Sequence, residues 1–224
     1  MIPLHIIAHL GGPVRIQHQW ISLDSLLVAA ICKRDDEPPL LVGETPVDYA
    51  SRLDGVLKRS ECGRLWLASW LSGEPEGYEK KWVNKRPPIA EALGGDKVRT
   101  ISIGGGPMKA MHRPSEAIHF KADRLDAWTI GDLDQVRALL EIVGALGFKR
   151  NAGDGVVRRW DVEQCEPWAG GFPVVLDGVP LRPLPLDWPG LDLDRCGRDT
   201  MPLQPPYWHR DPRDRVEVAV PVRR

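Results

Sequence analysis

The chain has 224 residues, and 42% of them are hydrophobic, which is enough for one large domain with a buried core and excludes a disordered protein. It carries 30 lysines and arginines against 31 aspartates and glutamates, so the net charge of -1 excludes a uniformly basic protein that coats nucleic acid. Any affinity for a polyanion has to come from a local excess of positive charge.

Membrane and metal classes are also disfavoured. No apolar run approaches the roughly 20 residues that cross a bilayer, and the first residues lack the basic segment of a secretory leader, so we expect a cytoplasmic protein without membrane contact. The four cysteines show neither zinc-ligand spacing nor a disulfide framework. We therefore expect four free thiols, no metal site and no small-molecule cofactor.

Hydrophobic periodicity predicts the first elements of the chain. Residues 4–10 are apolar and β-rich, and they predict a strand that ends at Gly11. Ser22 precedes apolar residues at helical spacing, which predict a helix ending near Arg34. The pattern then predicts a loop, a helix, a second strand and a polar excursion, at residues 35–46, 47–58, 64–70 and 72–88 respectively.

A second helix is predicted before the end of the core. Asp132 is a suitable N-cap, and Gln135 three residues later makes a pair typical of a capping box. Apolar residues then follow one helical face as far as Leu146, and Gly147 is the expected stop.

Short strands at residues 99–103, 117–122 and 156–162 complete the predicted core. The order of strands and helices predicts an α+β fold, with a ferredoxin-like (RRM-related) core built on an antiparallel sheet. We expect that core over residues 1–168, interrupted by a basic insertion at about residues 71–116. Residues 169–224 are rich in proline and tryptophan and predict an extension packed on the core, with a tight hairpin at Asp177 and Gly178.

Positive charge is concentrated in the insertion. Residues 80–124 contain ten basic and four acidic residues, so a polyanion is the natural partner. Glycines let the backbone approach phosphates, and a tryptophan among lysines can stack on a base or fill a pocket of a partner. The alternative is a solvated insertion with a flexible turn. The candidate RNA-binding residues here are Lys81, Trp82, Lys85, Arg86, Gly104, Gly105, Gly106, Lys109, His112 and Arg113.

A second glycine-rich segment lies between the second helix and the last core strand. It is not a P-loop, because its glycines leave a helix and enter a strand instead of leading into a helix. A Schellman stop and a turn would explain Gly147, although they give no reason for the adjacent basic pair. The candidate residues of this segment are Gly144, Gly147, Lys149, Arg150, Gly153 and Gly155.

This segment, followed by the Trp160-Asp161-Val162-Glu163 strand, resembles the glycine-rich loop of the RAMP superfamily of CRISPR-associated RNA-binding proteins. Over about residues 3–185, the chain resembles the type IV form of the small subunit that caps the 5′ handle of guide RNA. The resemblance implies a non-catalytic subunit that binds crRNA, with a thumb-like insertion that contacts RNA and the backbone subunit. It also implies a large subunit as a partner and leaves open whether target DNA is reached through the complex. Asp154 departs from the pattern, in which this position is often aromatic. An acid there would repel phosphate, so we expect the tip of the loop to serve structure or protein contact instead.

Two other classes of function stay open. Some relatives in this superfamily are metal-independent endoribonucleases, and His112 is the histidine set in a basic context, so it is the alternative catalytic residue. His5, His9 and His119 fall in strand-like runs and are expected to be structural. The nine tryptophans also allow a protein-interaction scaffold.

Overall fold

The structure is a computed structural model that describes residues 1–16, 20–37, 50–85, 111–147, 153–205, 207 and 215–222. At residues 20, 50, 81–85 and 111–115 it describes the backbone alone.

A five-stranded antiparallel sheet forms the centre of the described structure. Strand β1 (Ile2–Leu10) lies between β6 (Arg124–Gly131) and β7 (Val157–Gln164). Beyond β6 come β3 (Trp70–Ser72) and then β2 (Trp20–Ser22), which gives the order β2-β3-β6-β1-β7. The prediction of an α+β fold with an antiparallel sheet is confirmed.

Two described α-helices cover one face of this sheet. They are α1 (Leu23–Arg34) and α2 (Leu133–Glu141), and their buried residues share one cluster with those of the sheet. Alternate residues of β1 point into this cluster because successive side chains of a strand face opposite sides. The residues of β1 that pack there are Leu4, Ile6, Ala8 and Leu10.

Capping explains where the second helix begins. The Oδ1 atom of Asp132 accepts a hydrogen bond of 2.9 Å from the backbone N–H of Gln135, as predicted for an N-cap. The reciprocal half of a capping box is absent, because the Gln135 side chain donates instead to the carbonyl of Gly55 at 3.1 Å. The helix ends at Glu141, so the predicted stop at Gly147 is wrong. Neither described α-helix has the length and hydrophobicity of a membrane span.

Several predicted boundaries are corrected. The strand just before the second helix is Arg124–Gly131, whereas the prediction had placed it at 117–122. Alternate residues of this strand are buried, so its signal was the period-two pattern that ends in Ala127-Trp128-Thr129. Residues 117–120 instead end another strand, Met111–Phe120. Residues 64–69 make only isolated bridges before β3 begins. In the described part of residues 47–58, the helical turn is the 3-10 helix Ala50–Leu53.

The predicted polar excursion at residues 72–88 contains a long strand. Strand β4 (Pro75–Lys85) pairs with β5 (Met111–Phe120) as an antiparallel two-stranded ribbon that is separate from the main sheet. The 3-10 turn Lys121–Asp123 connects this ribbon directly to β6. The predicted strand at 99–103 lies outside the described residues.

The C-terminal segment begins with a small hairpin. Strands β8 (Val175–Leu176) and β9 (Val179–Pro180) pair across Asp177 and Gly178, whose φ angles are 50° and 79°. Two central residues with positive φ match a type I′ turn, so the predicted hairpin at Asp-Gly is confirmed.

A three-stranded sheet completes the described segment. Strand β12 (Val216–Pro221) lies between β10 (Leu184–Pro185) and β11 (Cys196–Met201). Val218 and Ala219 of β12 are fully buried.

A buried polar cluster joins the C-terminal segment to helix α1. Arg182 and Asp24 are both fully buried, with Nη2 of the arginine 3.2 Å from Oδ2 of the aspartate. The Tyr207 hydroxyl donates to the same carboxylate oxygen at 2.6 Å. Arg182 also donates to the carbonyls of Trp66 and Leu203, each at 2.8 Å. These bonds satisfy charges that would otherwise be costly to bury.

Candidate nucleic-acid interface

The glycine-rich segment is a turn closed at its base by backbone pairing. Leu146 donates its N–H to the carbonyl of Gly155 at 2.8 Å, and Val157 donates to Gly144 at 3.0 Å. Gly155 in turn donates to the carbonyl of Pro13 at 2.9 Å. The turn is therefore anchored both to itself and to the chain that follows β1.

Two of its glycines are required by close contacts. A Cβ atom at Gly155 would lie 2.0 Å from the carbonyl oxygen of Leu146, and one at Gly147 would lie 2.4 Å from that of Arg15. Both residues also have positive φ. A Schellman stop therefore does not account for Gly147, which lies beyond the end of α2 and serves the contact with Arg15.

The other two glycines differ from this pair. Gly153 has a φ of +83° but open space around a Cβ atom. Gly144 has neither a positive φ nor a neighbour within 4 Å. Nothing in the described structure requires a glycine at position 144.

Asp154 does not face solvent. It is 2% exposed, and its Oδ2 accepts a hydrogen bond of 2.9 Å from Nε of the buried Arg15. This ion pair links the turn to the residues that follow β1. Both groups can be buried because each compensates the charge of the other with good geometry. The acid that departs from the family pattern therefore has a structural partner and does not present its charge to a phosphate.

Several predicted site residues lie outside the described residues. They are Arg86, Gly104, Gly105, Gly106, Lys109, Lys149 and Arg150. Lys149 and Arg150 thus lie between described residues on both sides and are not described themselves.

The two-stranded ribbon brings together predicted residues that are far apart in sequence. Its register places Lys81 opposite Ser115 and Trp82 opposite Pro114. Val83, Asn84 and Lys85 then lie opposite Arg113, His112 and Met111 in turn. The candidates Lys81, Trp82, Lys85, His112 and Arg113 therefore belong to one ribbon.

A row of three basic side chains crosses the face of the main sheet opposite the helices, and the sequence patterns did not predict it. His9 of β1 lies directly opposite Arg124 of β6 on one side and Arg159 of β7 on the other. Arg124 and Arg159 are 39% and 66% exposed at the side chain. We call Arg124, His9 and Arg159 the basic row. The sequence offered little signal for it, because Arg124 lies outside every strand that the sequence predicted.

Carboxylates two residues further along β6 and β7 orient the basic row. Nε of Arg124 donates to Asp126 at 2.9 Å, and Nη2 of Arg159 donates to Asp161 at 2.9 Å. Nε2 of His9 lies 2.7 Å from Oδ2 of Asp161. The two arginines and the two aspartates carry equal and opposite charges. The basic row therefore supplies oriented hydrogen-bond donors and not a large net positive charge.

His5 occupies the equivalent place beside Asp126. Its Nε2 lies 2.7 Å from Asp126 Oδ1, and its ring stacks on that of Trp128 with centroids 5.1 Å apart. His5 and His9 thus act in the ion-pair network of the sheet face, as the expectation of structural histidines implied.

The pKa values of both carboxylates reflect this network. Burial alone would raise the pKa of Asp126, but hydrogen bonds from His5 and Arg124 outweigh it and the pKa is lowered. The pKa of Asp161 is lowered mainly by the hydrogen bond from His9 and also by the charge of Arg159. Both groups therefore stay ionised at neutral pH.

The glycine-rich turn, the base of the ribbon and the basic row lie at one end of the sheet. His9 is one residue before β1 ends, Arg124 begins β6, and Arg159 is two residues into β7. The turn leads into β7 and the ribbon leads into β6. The elements that carry the candidate residues therefore meet at one end of the sheet although they are distant in sequence.

Within the described residues, no group of three His, Cys, Asp or Glu side chains is placed to hold a metal ion.

A family model described as "CRISPR type IV associated protein Csf3" matches residues 89–220, which is more than half of the chain. The chain belongs to the Csf3 family. The matched range includes the glycine-rich turn and most of the C-terminal segment and begins within the insertion. No curated protein matches the chain. The predicted association with type IV CRISPR systems is confirmed, and the family indicates a component of a type IV effector complex.

Proposed function

We propose that this protein is the subunit of a type IV CRISPR effector complex that binds crRNA and holds its 5′ handle. The proposal depends most on the convergence of the glycine-rich turn, the base of the ribbon and the basic row at one end of the sheet. Single-stranded RNA is held largely through backbone phosphates, and backbone N–H groups together with arginines are suitable donors.

We further propose that the core is ferredoxin-like and of the RAMP type. The described elements β1, α1, β3, β6, α2 and β7 follow one another as βαββαβ, which supports this assignment. In this proposal the ribbon β4–β5 and the residues between its strands are the thumb-like insertion, which contacts RNA and the neighbouring backbone subunit. The cytoplasm is the corresponding location, and target DNA is approached only through the complex.

The binding role is proposed to be non-catalytic. Recovery of the assembled complex and incubation with repeat RNA in EDTA distinguishes this role from metal-independent cleavage. We expect intact RNA. Cleavage that disappears in His112→Ala would replace the proposal with the nuclease alternative.

The direct test is to purify the tagged protein from its native cells and to sequence the RNA that accompanies it. We expect short RNAs that share one constant 5′ end, together with other type IV subunits. A protein recovered without RNA or partners would contradict the proposal.

The contribution of the turn is tested with charge reversal. Lys149→Glu combined with Arg150→Glu should lower RNA retention and flatten its salt dependence, because each lost phosphate contact on single-stranded RNA reduces the log–log salt slope by about 0.7. The matched control is Arg195→Glu with Arg198→Glu in the C-terminal segment, which should retain RNA as the unaltered protein does. Equal retention by both double variants would remove the turn from the binding site.

A further inference from the structure

A pocket of about 600 Å³ opens between residues 60–67 and residues 170–190. It lies away from the glycine-rich turn, because Leu67 pairs with Ile130 at the far end of β6. A volume in this range holds a drug-sized ligand or a few residues of a peptide.

The floor of the pocket is apolar. Leu67, Phe172, Val174 and Trp188 line it, and Leu67 and Trp188 also pack on the small buried cluster of Leu65, Val174, Val175 and Leu184. Part of the wall consists of glycines without side chains, so aromatic and aliphatic surface stays open to an occupant. These glycines are Gly170, Gly171 and Gly190.

The mouth of the pocket carries a negative balance. Among the described lining residues, Glu61 and Asp187 are the acids and Arg64 is the one cation. Nη2 of Arg64 lies 3.0 Å from Asp187 Oδ1. The Arg64 and Asp187 side chains are 46% and 73% exposed, so solvent screens this pair and its contribution is small. An anion such as RNA is repelled here, whereas a basic group is attracted.

Cys62 lies in the lining with an exposed thiol. Its Sγ is 3.4 Å from Oγ of Ser60. The hydrogen bond with Ser60 and that from the backbone of Arg64 lower the pKa of the thiol. The exposed thiol provides a chemical reporter of occupancy.

We propose that this pocket docks a protein partner through an apolar or aromatic side chain flanked by lysine or arginine. The apolar floor accepts the anchor side chain and the two carboxylates at the mouth accept the flanking cation. This inference rests on the proposed function, because the protein partner is taken to be another subunit of the effector complex. The pocket then separates a protein-binding end of the molecule from its RNA-binding end.

The chemistry is tested first on the isolated protein. The capped peptide Ac-Lys-Phe-Lys-NH2 should shift the indole N–H resonance of Trp188 and slow alkylation of Cys62 by iodoacetamide at least several-fold at millimolar concentration. The peptides Ac-Glu-Phe-Glu-NH2 and Ac-Lys-Ser-Lys-NH2 should do neither. Trp160 is the internal control, because its indole N–H donates to the carbonyl of Val143 elsewhere. Equal responses to all three peptides, or none to any, would overturn the proposal.

The source of the occupant is tested in the assembled complex. We expect Cys62 to be alkylated at least tenfold more slowly there than in the isolated protein. Glu61→Lys should restore its reactivity, whereas the matched variant Glu166→Lys, outside the lining, should not. The same preparations report RNA content, so loss of docking with normal RNA leaves the proposed function intact.

Three results in the complex would overturn the proposal. Cys62 could react as fast in the complex as alone, its protection could be unchanged by Glu61→Lys, or it could disappear on ribonuclease treatment while the protein subunits stay bound. The last result would assign the covering molecule to RNA.

Discussion

Two charged clusters of this protein use similar groups in opposite environments. Arg182, Asp24 and Tyr207 form a cluster whose ion pair is fully buried, and it ties the C-terminal segment to α1. On the sheet face, Arg159 is two-thirds exposed while it bonds Asp161. The buried cluster supports the fold because neither charge has access to water. The exposed one contributes little to stability and leaves its donors available to a partner.

The largest effect is expected when the buried cluster loses its cation. Arg182→Ala should reduce the free energy of unfolding by about 3–5 kcal/mol, because Asp24 keeps a buried charge without its main partner. Urea unfolding at pH 7 measures the change. Arg198→Ala, which breaks an exposed pair with Glu217, is the control and should cost below about 1 kcal/mol.

A paired replacement sharpens this test. Arg182→Met combined with Asp24→Leu removes both charges and should be less destabilising than Arg182→Ala alone, because no unpaired charge is left. A single variant that loses under 1 kcal/mol would show that water or another group reaches Asp24.

The glycine-rich turn offers a similar comparison between two positions of its backbone, one in tight contact with its surroundings and one in open space. Gly155→Ala should cost at least about 1–3 kcal/mol, because its Cβ would collide with the Leu146 carbonyl and its φ is +71°. Gly144→Ala is the matched control and should change stability by no more than about 0.5 kcal/mol. Thermal or urea unfolding of the two variants measures the difference, and equal stability would contradict the geometry of the turn.

A comparable effect is expected from the tyrosine of the buried cluster. Tyr207→Phe should cost about 1.5–3 kcal/mol, because the hydroxyl donates to an ionised carboxylate. Burial raises the pKa of the Tyr207 hydroxyl well above its usual range, with a further increase from Asp24 that Arg182 partly offsets.

This pKa shift has a defined consequence for pH dependence. The unfolded chain releases the proton near pH 10, whereas the folded protein retains it to higher pH. The stabilisation is therefore complete below about pH 10 and is lost as the pH rises toward the folded pKa. The difference between the unaltered protein and Tyr207→Phe should shrink from pH 9 to pH 11 in urea unfolding. A constant difference would mean that the hydroxyl is not buried.

The smallest effect on stability is expected in the basic row. Arg159→Ala should change the free energy of unfolding by less than about 1 kcal/mol. Because the pKa of Asp161 is lowered, the small contribution of this network is lost only as the pH falls below about 4. The same variant should weaken RNA retention by the complex. Retention unchanged from that of the parent complex would restrict the RNA-binding surface to the turn and the ribbon.

Sequence patterns correctly predicted the elements that depend on interactions between neighbouring residues. The apolar repeat behind Ser22 predicted α1, and the side chain of Asp132 predicted the start of α2. The Asp177-Gly178 pair predicted its own hairpin. The strand 124–131 was missed because the strand before the second helix was placed at 117–122, although the alternation was present in the sequence.

Sequence patterns predicted the candidate site only in part. They identified the glycine-rich turn and indicated that Asp154 is unsuited to a phosphate contact, but nothing local shows that its partner is Arg15 in the interior. They did not find the basic row, because Arg124 and Arg159 meet His9 only when β6 and β7 pair with β1.

The sequence by itself determined the presence and the starts of the two α-helices, the end of the central strand, the Asp-Gly turn and the resemblance to type IV CRISPR-associated proteins. These depend on side-chain periodicity, capping and glycine conformation, which act within a few residues. Tertiary structure alone decided which charges are buried and which are exposed. Arg15 reaches Asp154 across 139 positions and Tyr207 reaches Asp24 across 183, and the cost or gain of such pairs depends on the water that the assembled fold removes from them.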